Sequence, residues 1–141
     1  MDFFPFLRAL TSTYQSFTIL SNKHVRTVGL TNSQFDVIAT LGGRGQLSTS
    51  ELGRETLTTK GTLTGVLDRL EAKGLITRVQ SPDDKRSLQI SLSAEGQALF
   101  ERIFQEHIAH LAPVFKDMTQ EQLDDITRNL QFINKSLSSQ Q

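Results

Sequence analysis

The chain has 141 residues, fifteen basic against fifteen acidic, and no cysteine. That length suffices for one domain with its own core, and the absence of cysteine excludes disulfide frameworks, thiolate metal sites and thiol-based redox regulation. The balanced charge does not announce a nucleic-acid partner. Residues 54–86 hold seven Lys/Arg against five Asp/Glu, and residues 101–141 hold four against six, an asymmetry compatible with DNA binding but as compatible with ordinary surface variation.

The N-terminus MDFFPFLRAL is apolar but short, carries Asp2 and Arg8, and lacks a small-residue cleavage site, so it does not read as a signal peptide. No stretch approaches the ~18 uninterrupted apolar residues of a membrane span. The expectation is a soluble cytoplasmic protein with no membrane partner. Phe3, Leu7, Leu10, Tyr14 and Phe17 follow alternating steps of four and three, which predicts a long N-terminal helix with one apolar stripe. The aromatics Phe3, Phe6, Tyr14 and Phe17 read as a helix–helix core at this spacing. Tyr14 and His24 are candidate ligand-pocket residues, since each offers a polar group on a mostly apolar face.

Thr31 is followed three residues later by Gln34, Ser48 by Glu51 and Thr119 by Gln122. Each pair is a capping box, in which the hydroxyl accepts from a free helix-start amide and the later side chain reaches back. They predict a helix over 32–42 stopping at Gly42-Gly43, a short helix over 48–56, and a C-terminal helix. Thr58 or Thr59 opens a further helix whose Leu63, Val66, Leu67 and Leu70 form one stripe, and Gly74 ends it as a left-handed cap. The period then changes from 3.6 to 2. Residues 75–79 and 88–92 alternate as strands around the polar connection 81–87, which predicts a β-hairpin.

A run from Leu99 through Ile103, Ile108, Leu111 and Phe115 predicts another helix, bent or interrupted at Pro113. Leu123, Ile126, Leu130, Ile133 and Leu137 give the last helix its stripe, and the tail from Ser136 to Gln141 reads as disordered. His107 and His110 stand three apart beside Glu106. With His24 far away in sequence and no cysteine, they read as solvated or interface histidines rather than a metal site. No Gly-rich phosphate loop and no nucleophile–base arrangement is visible, which argues against an enzyme and requires no cofactor.

Three short helices followed by a hairpin are the parts of a winged helix-turn-helix. The pieces Gly29-Leu30-Thr31, Gln34-Phe35-Asp36, Thr64 to Glu71, Gly74 to Arg78, Asp84-Lys85-Arg86 and Leu92 to Gly96, in this order and spacing, resemble the MarR family of transcriptional regulators. The resemblance implies a mainly α fold with a small β-hairpin wing. Residues 1–28 would form an N-terminal dimerisation helix, residues 29–96 the winged DNA-binding region, and residues 97–141 the C-terminal dimerisation helices, all in one integrated domain. It further implies a homodimer on a pseudo-palindromic duplex, with the third helix of the module in the major groove, the wing tip at the minor groove, and release by a small anionic or phenolic ligand.

With its apolar stripe buried, the third helix would present Gly61, Thr62, Thr64, Gly65, Asp68 and Arg69. Hydroxyls of Thr58, Thr59, Thr62 and Thr64 suit base edges or phosphates, and Lys60 or Arg69 suits phosphate. Gly65 stands where the family carries larger polar side chains, a departure that puts the family's base contact at this position in doubt. Asp84, Lys85 and Arg86 match the wing-tip pattern, the carboxylate holding a guanidinium that suits a narrow minor groove. The alternative is a winged-helix module for protein–protein contact without DNA binding.

Overall fold

The structure, a computed structural model, describes residues 1–56 and 58–140, with Lys60 described by its backbone alone. Among these residues, six helices and three short strands run in the order α1 (Phe4–Thr27), α2 (Asn32–Arg44), β1 (Leu47–Ser48), α3 (Thr49–Glu55), α4 (Lys60–Ala72), β2 (Ile76–Gln80), β3 (Leu88–Leu92), α5 (Ala94–Phe115) and α6 (Gln120–Ser138). The mainly α winged helix-turn-helix expected from the sequence is the fold observed. The chain divides into two compact units, residues 1–110 and residues 111–141.

All three capping boxes form. Gln34 N donates to Thr31 Oγ1 at 3.2 Å while Thr31 N donates to Gln34 Oε1 at 3.1 Å, and the Ser48/Glu51 and Thr119/Gln122 pairs repeat the arrangement. Each box supplies acceptors to two helix-start amides that would otherwise lack them. At the end of α4, Gly74 adopts φ +74°. Leu75 N reaches back to Leu70 O at 3.0 Å and Gly74 N to Glu71 O at 2.9 Å, a Schellman closure that turns the chain into the wing.

In the first unit the core is built from one stripe of each element. Ile38 and Leu41 of α2, Leu52 of α3, Leu63, Leu67 and Leu70 of α4, Ile90 of β3 and Ile103 of α5 are all buried. Burial of such side chains contributes about 1.5–3 kcal/mol each, which is why the wing and α4 hold one orientation. The second unit has no comparable core of its own. No residue of α6 is buried, and Ile126, Leu130 and Leu137 are about half exposed.

Four features differ from the sequence reading. First, α2 does not stop at Gly42-Gly43 but continues to Arg44 and ends at Gly45, with φ +81°. Gly42 serves packing rather than termination, because a Cβ there would lie 2.4 Å from the ring carbons of Phe100 in α5. Second, the sheet has three strands in the order β1-β3-β2, with Leu47 opposite Ile90 and Ser48 opposite Gln89; two residues are too few to show a period. Third, α5 is not interrupted at Pro113 but continues through it and ends two residues later. Fourth, the tail is helical to Ser138 rather than disordered, with Ser136 Oγ bonded to Phe132 O and Ser138 Oγ to Asn134 O; Gln141 lies outside the described residues. No helix among the described residues is long and apolar enough to cross a membrane.

Candidate nucleic-acid interface and the adjoining cavity

Helix α4 separates its faces cleanly. Leu63, Val66, Leu67 and Leu70 are buried, while Gly61, Thr62, Thr64, Asp68 and Arg69 are exposed and Gly65 is half-buried. Thr59 caps the helix in an extended conformation, and its hydroxyl donates to Thr62 Oγ1 at 3.0 Å; Thr58 is half-buried. The side chain of Lys60 lies outside the described residues. Nothing lies within 4 Å of a Cβ built on Gly61 or Gly65. Intramolecular packing therefore does not require either glycine, although each costs about 1 kcal/mol of helix stability relative to Ala.

The polar face is less acidic than its composition implies. Arg78 of β2 reaches across to α4, with Nη2 at 2.8 Å from Asp68 Oδ1 and 2.9 Å from Glu71 Oε1, and with Nε donating to Glu71 Oε2 at 3.0 Å. The fork grips Glu71 with two parallel bonds. Its donation holds the Glu71 carboxyl below the usual carboxylate range, and the two carboxylates raise the proton affinity of Arg78 further. Asp68 is thus a strut between α4 and the wing, not a group open to solvent alone.

Arg78→Met is expected to lower the thermal midpoint by a few degrees at low salt. The loss should shrink near 1 M salt, where the screening length is about 3 Å. Because the folded Glu71 carboxyl is the stronger acid, its contribution is present above the unfolded value near 4.5 and is lost as pH falls through the folded one. Thermal melts at two salt concentrations and across acid pH check both statements.

At the wing tip, Asp83 to Arg86 are exposed. Ser81 N donates to Ser87 O at 2.8 Å and Ser87 N to Asp84 O at 3.0 Å, closing the loop. Asp84 Oδ1 accepts from the backbone N–H of Arg86 at 2.9 Å. The carboxylate therefore organises the turn through the main chain, rather than holding the Arg86 guanidinium as expected. Lys85 projects between them, exposed.

Sequence distance hid a third feature. His24, placed "elsewhere" by its position in the chain, meets both α5 histidines: its Nδ1 lies 3.0 Å from His107 Nδ1, and its ring stacks on His110 with centroids 5.6 Å apart. His24 and His107 are buried, which corrects the expectation of solvated or interface histidines for His107. His107 Nε2 lies 3.3 Å from Ser21 Oγ, and the ring packs on Phe35 of α2 at 4.6 Å. His110 Nε2 lies 2.9 Å from Leu20 O. Burial and the neighbouring imidazoles depress the proton affinity of His107. Among the described residues no group of three or more side chains could hold a metal ion.

Beside this cluster a cavity of about 350 Å³ opens between α1, α2 and the entrance to α4, with Tyr14, Phe17, Phe35, Asp36, Thr58 and His107 in its wall. Tyr14 is one of its lining residues. His24 is not; it stands behind His107. The aromatic stripe of α1 is largely exposed in this chain, with Phe3 at 59% and Phe17 at 49%.

A family model described as MarR family matches residues 28–87. The HTH-type transcriptional regulator MhqR of Bacillus subtilis is 30% identical over 121 residues, which cover 86% of this chain and 83% of that one. The chain belongs to the MarR family. Among solved structures, a mutant MarR from E. coli complexed with operator DNA superposes with a TM-score of 0.78 at 25% identity, covering 92% of this chain and 94% of that one. NadR in complex with 4-hydroxyphenylacetate superposes with a TM-score of 0.81 at 24% identity, covering 89% of each. In MarR-family terms the protein is a transcriptional regulator of the helix-turn-helix type, and α3 and α4 with the β2–β3 wing are its helix-turn-helix and wing.

Proposed function

We propose that the protein binds operator DNA as a homodimer and acts in the cytoplasm as a ligand-responsive repressor. The observation that carries this reading is the polar face of α4: two glycines without an intramolecular reason stand among threonines beside an exposed arginine-tipped wing. A duplex laid on this face would meet Thr58, Thr59, Lys60, Thr62, Thr64 and Arg69. Gly61 and Gly65 would let the backbone approach closely, with Asp84, Lys85 and Arg86 at the adjoining minor groove. Operator binding by the E. coli MarR supports the comparison.

Two further elements complete the proposal. Helices α1, α5 and α6 each leave large apolar residues exposed, with Phe132 at 72% exposure, and a partner subunit would cover them. Residues 1–28 and 97–141 are thus the proposed dimerisation segments flanking the DNA-binding region 29–96. The cavity at Tyr14 and His107 is the proposed effector site; NadR is a relative in fold that takes the phenolic carboxylate 4-hydroxyphenylacetate.

Selection of bound duplex fragments from the source genome, followed by fluorescence anisotropy and sedimentation on the selected duplex, tests the reading. Two protomers per duplex and affinity that falls steeply with salt are expected, with an interface near or above about 2,000 Å² holding the free dimer together. A stable monomer at micromolar concentration, or no preference for any duplex, would overturn it.

A further inference from the structure

Helix α4 carries its two glycines on one line. Positions 61, 65 and 68 are four and three residues apart, so Gly61, Gly65 and Asp68 follow one another down the side of the helix opposite Leu63, Val66, Leu67 and Leu70. At 3.6 residues per turn, Thr62 and Arg69 fall to one side of this line and Thr64 to the other. The middle of the face presented to a duplex is therefore a trough floored by two glycines and flanked by threonines. At about 1.5 Å of rise per residue its floor is about 6 Å long, just under two base-pair steps of about 3.4 Å.

The trough is open. Among the described residues nothing lies within 4 Å of a Cβ built on Gly61 or Gly65, and neither glycine has a positive φ. Neither packing among those residues nor backbone geometry asks for glycine at either place. A floor of glycine offers carbon to an approaching base and no side-chain donor or acceptor. The polar groups beside it are already engaged. Thr62 Oγ1 accepts from Thr59 Oγ1 at 3.0 Å, and Asp68 Oδ1 is held by Arg78 Nη2 at 2.8 Å.

Base edges differ in how they meet such a floor. In the major groove guanine, adenine and cytosine are told apart by hydrogen-bonding atoms, and thymine alone adds a methyl group beside its O4 acceptor. A purine edge or the cytosine amine pressed on the trough would give up water without gaining a partner, and so carries the full desolvation cost of that group. A thymine methyl pressed there gives up no hydrogen bond and exchanges water for carbon, which is favourable.

We propose that the glycine trough of α4 is a thymine-methyl site: Gly61 and Gly65 admit the 5-methyl group of one thymine in each operator half-site, with Thr62 and Thr64 on either side. The proposal rests on α4 being the helix that enters the major groove, and it adds which base that helix selects and by which atoms. A side chain at position 61 or 65 would raise the floor and hold the base edge away. Two residues that weaken an exposed helix thereby acquire a role that the folded chain alone does not give them.

Deoxyuridine tests the contact directly, since it pairs as thymidine does and lacks only the methyl. Each thymine of the selected duplex is replaced in turn by deoxyuridine, at matching positions of both half-sites, and affinity is read by fluorescence anisotropy at fixed salt. The wild-type protein should lose about fourfold per half-site at one position, the size that burying one carbon gives, and little elsewhere. Gly61→Ala and Gly65→Ala have room for the added methyl in the free protein, so both should fold with a thermal midpoint no lower than that of the wild type. On DNA the added carbon competes with the thymine methyl. At least one of the two variants should therefore bind the thymine duplex more weakly and lose or invert the preference over deoxyuridine. A wild-type protein indifferent to every deoxyuridine overturns the thymine site and leaves operator binding standing. So does a preference that both alanine variants retain in full, because the missing methyl then acts through the shape of the duplex and not through the trough. Absence of any preferred duplex overturns operator binding and the thymine site with it.

Discussion

Gly96→Ala is expected to destabilise the protein by about 3 kcal/mol or more, lowering the thermal midpoint by roughly 10 °C. Gly96 stands in the first turn of α5, where the chain leaves the wing. A Cβ built on it would lie 1.9 Å from Leu75 O and 2.9 Å from Leu75 C. The obstacle is main chain, not the far end of a side chain that can rotate away. Leu75 O cannot retreat without cost, because it accepts from Ser93 N at 3.0 Å. Ser93 in turn closes the junction: its Oγ donates to Gly74 O at 2.5 Å and accepts from Gly96 N at 3.0 Å. The added methyl would push apart the end of α4 and the start of α5 at the point where the wing is rooted, breaking several of these bonds together. Gly65→Ala serves as the control, since nothing lies within 4 Å of its Cβ and helix propensity alone should make it slightly stabilising. Parallel thermal melts of the two variants decide. A Gly96→Ala protein as stable as the wild type would show that the junction is looser than its hydrogen bonds indicate.

That junction also shows how far the residues could be read before the fold was known. The capping boxes at Thr31, Ser48 and Thr119, the left-handed Gly74 and the change of period after it were all legible, because each is a local signal with a local cause. Gly42 and Gly96 were visible as letters but not as contacts; their partners, Phe100 and Leu75, lie across a tertiary interface. The same limit applies to His24 and His107, which are 83 residues apart and meet only because α1 and the part of α5 up to His110 pack in one unit. Helical periodicity reports which face a residue occupies and nothing about the face opposite. At the wing the sequence pattern singled out Asp84 and Arg86, and side-chain chemistry alone suggested a link to the guanidinium. The bond runs to the backbone amide.

That change of mechanism makes the wing prediction sharper. Arg86→Ala is expected to weaken operator binding by about 1–3 kcal/mol while leaving stability nearly unchanged, since the side chain is exposed. Arg86→Lys should recover part of the loss, because the charge survives and the planar fork does not. Asp84 acts differently. Its charge opposes a polyanion, yet its Oδ1 accepts from Arg86 N at 2.9 Å and its carbonyl from Ser87 N at 3.0 Å, so it shapes the loop that presents Arg86. Asp84→Ala removes the side-chain acceptor and should weaken binding. Asp84→Asn keeps an oxygen acceptor and removes the charge, so it should bind as tightly as the wild type or more so. Charge alone predicts that both substitutions tighten binding; a carboxylate clamp on the guanidinium predicts that both weaken it. Only a backbone role separates them. Fluorescence anisotropy on the selected duplex at fixed salt reads all four variants. Equal effects of Ala and Asn at position 84 would discard the backbone role, and wild-type affinity in Arg86→Ala would remove the wing tip from DNA recognition.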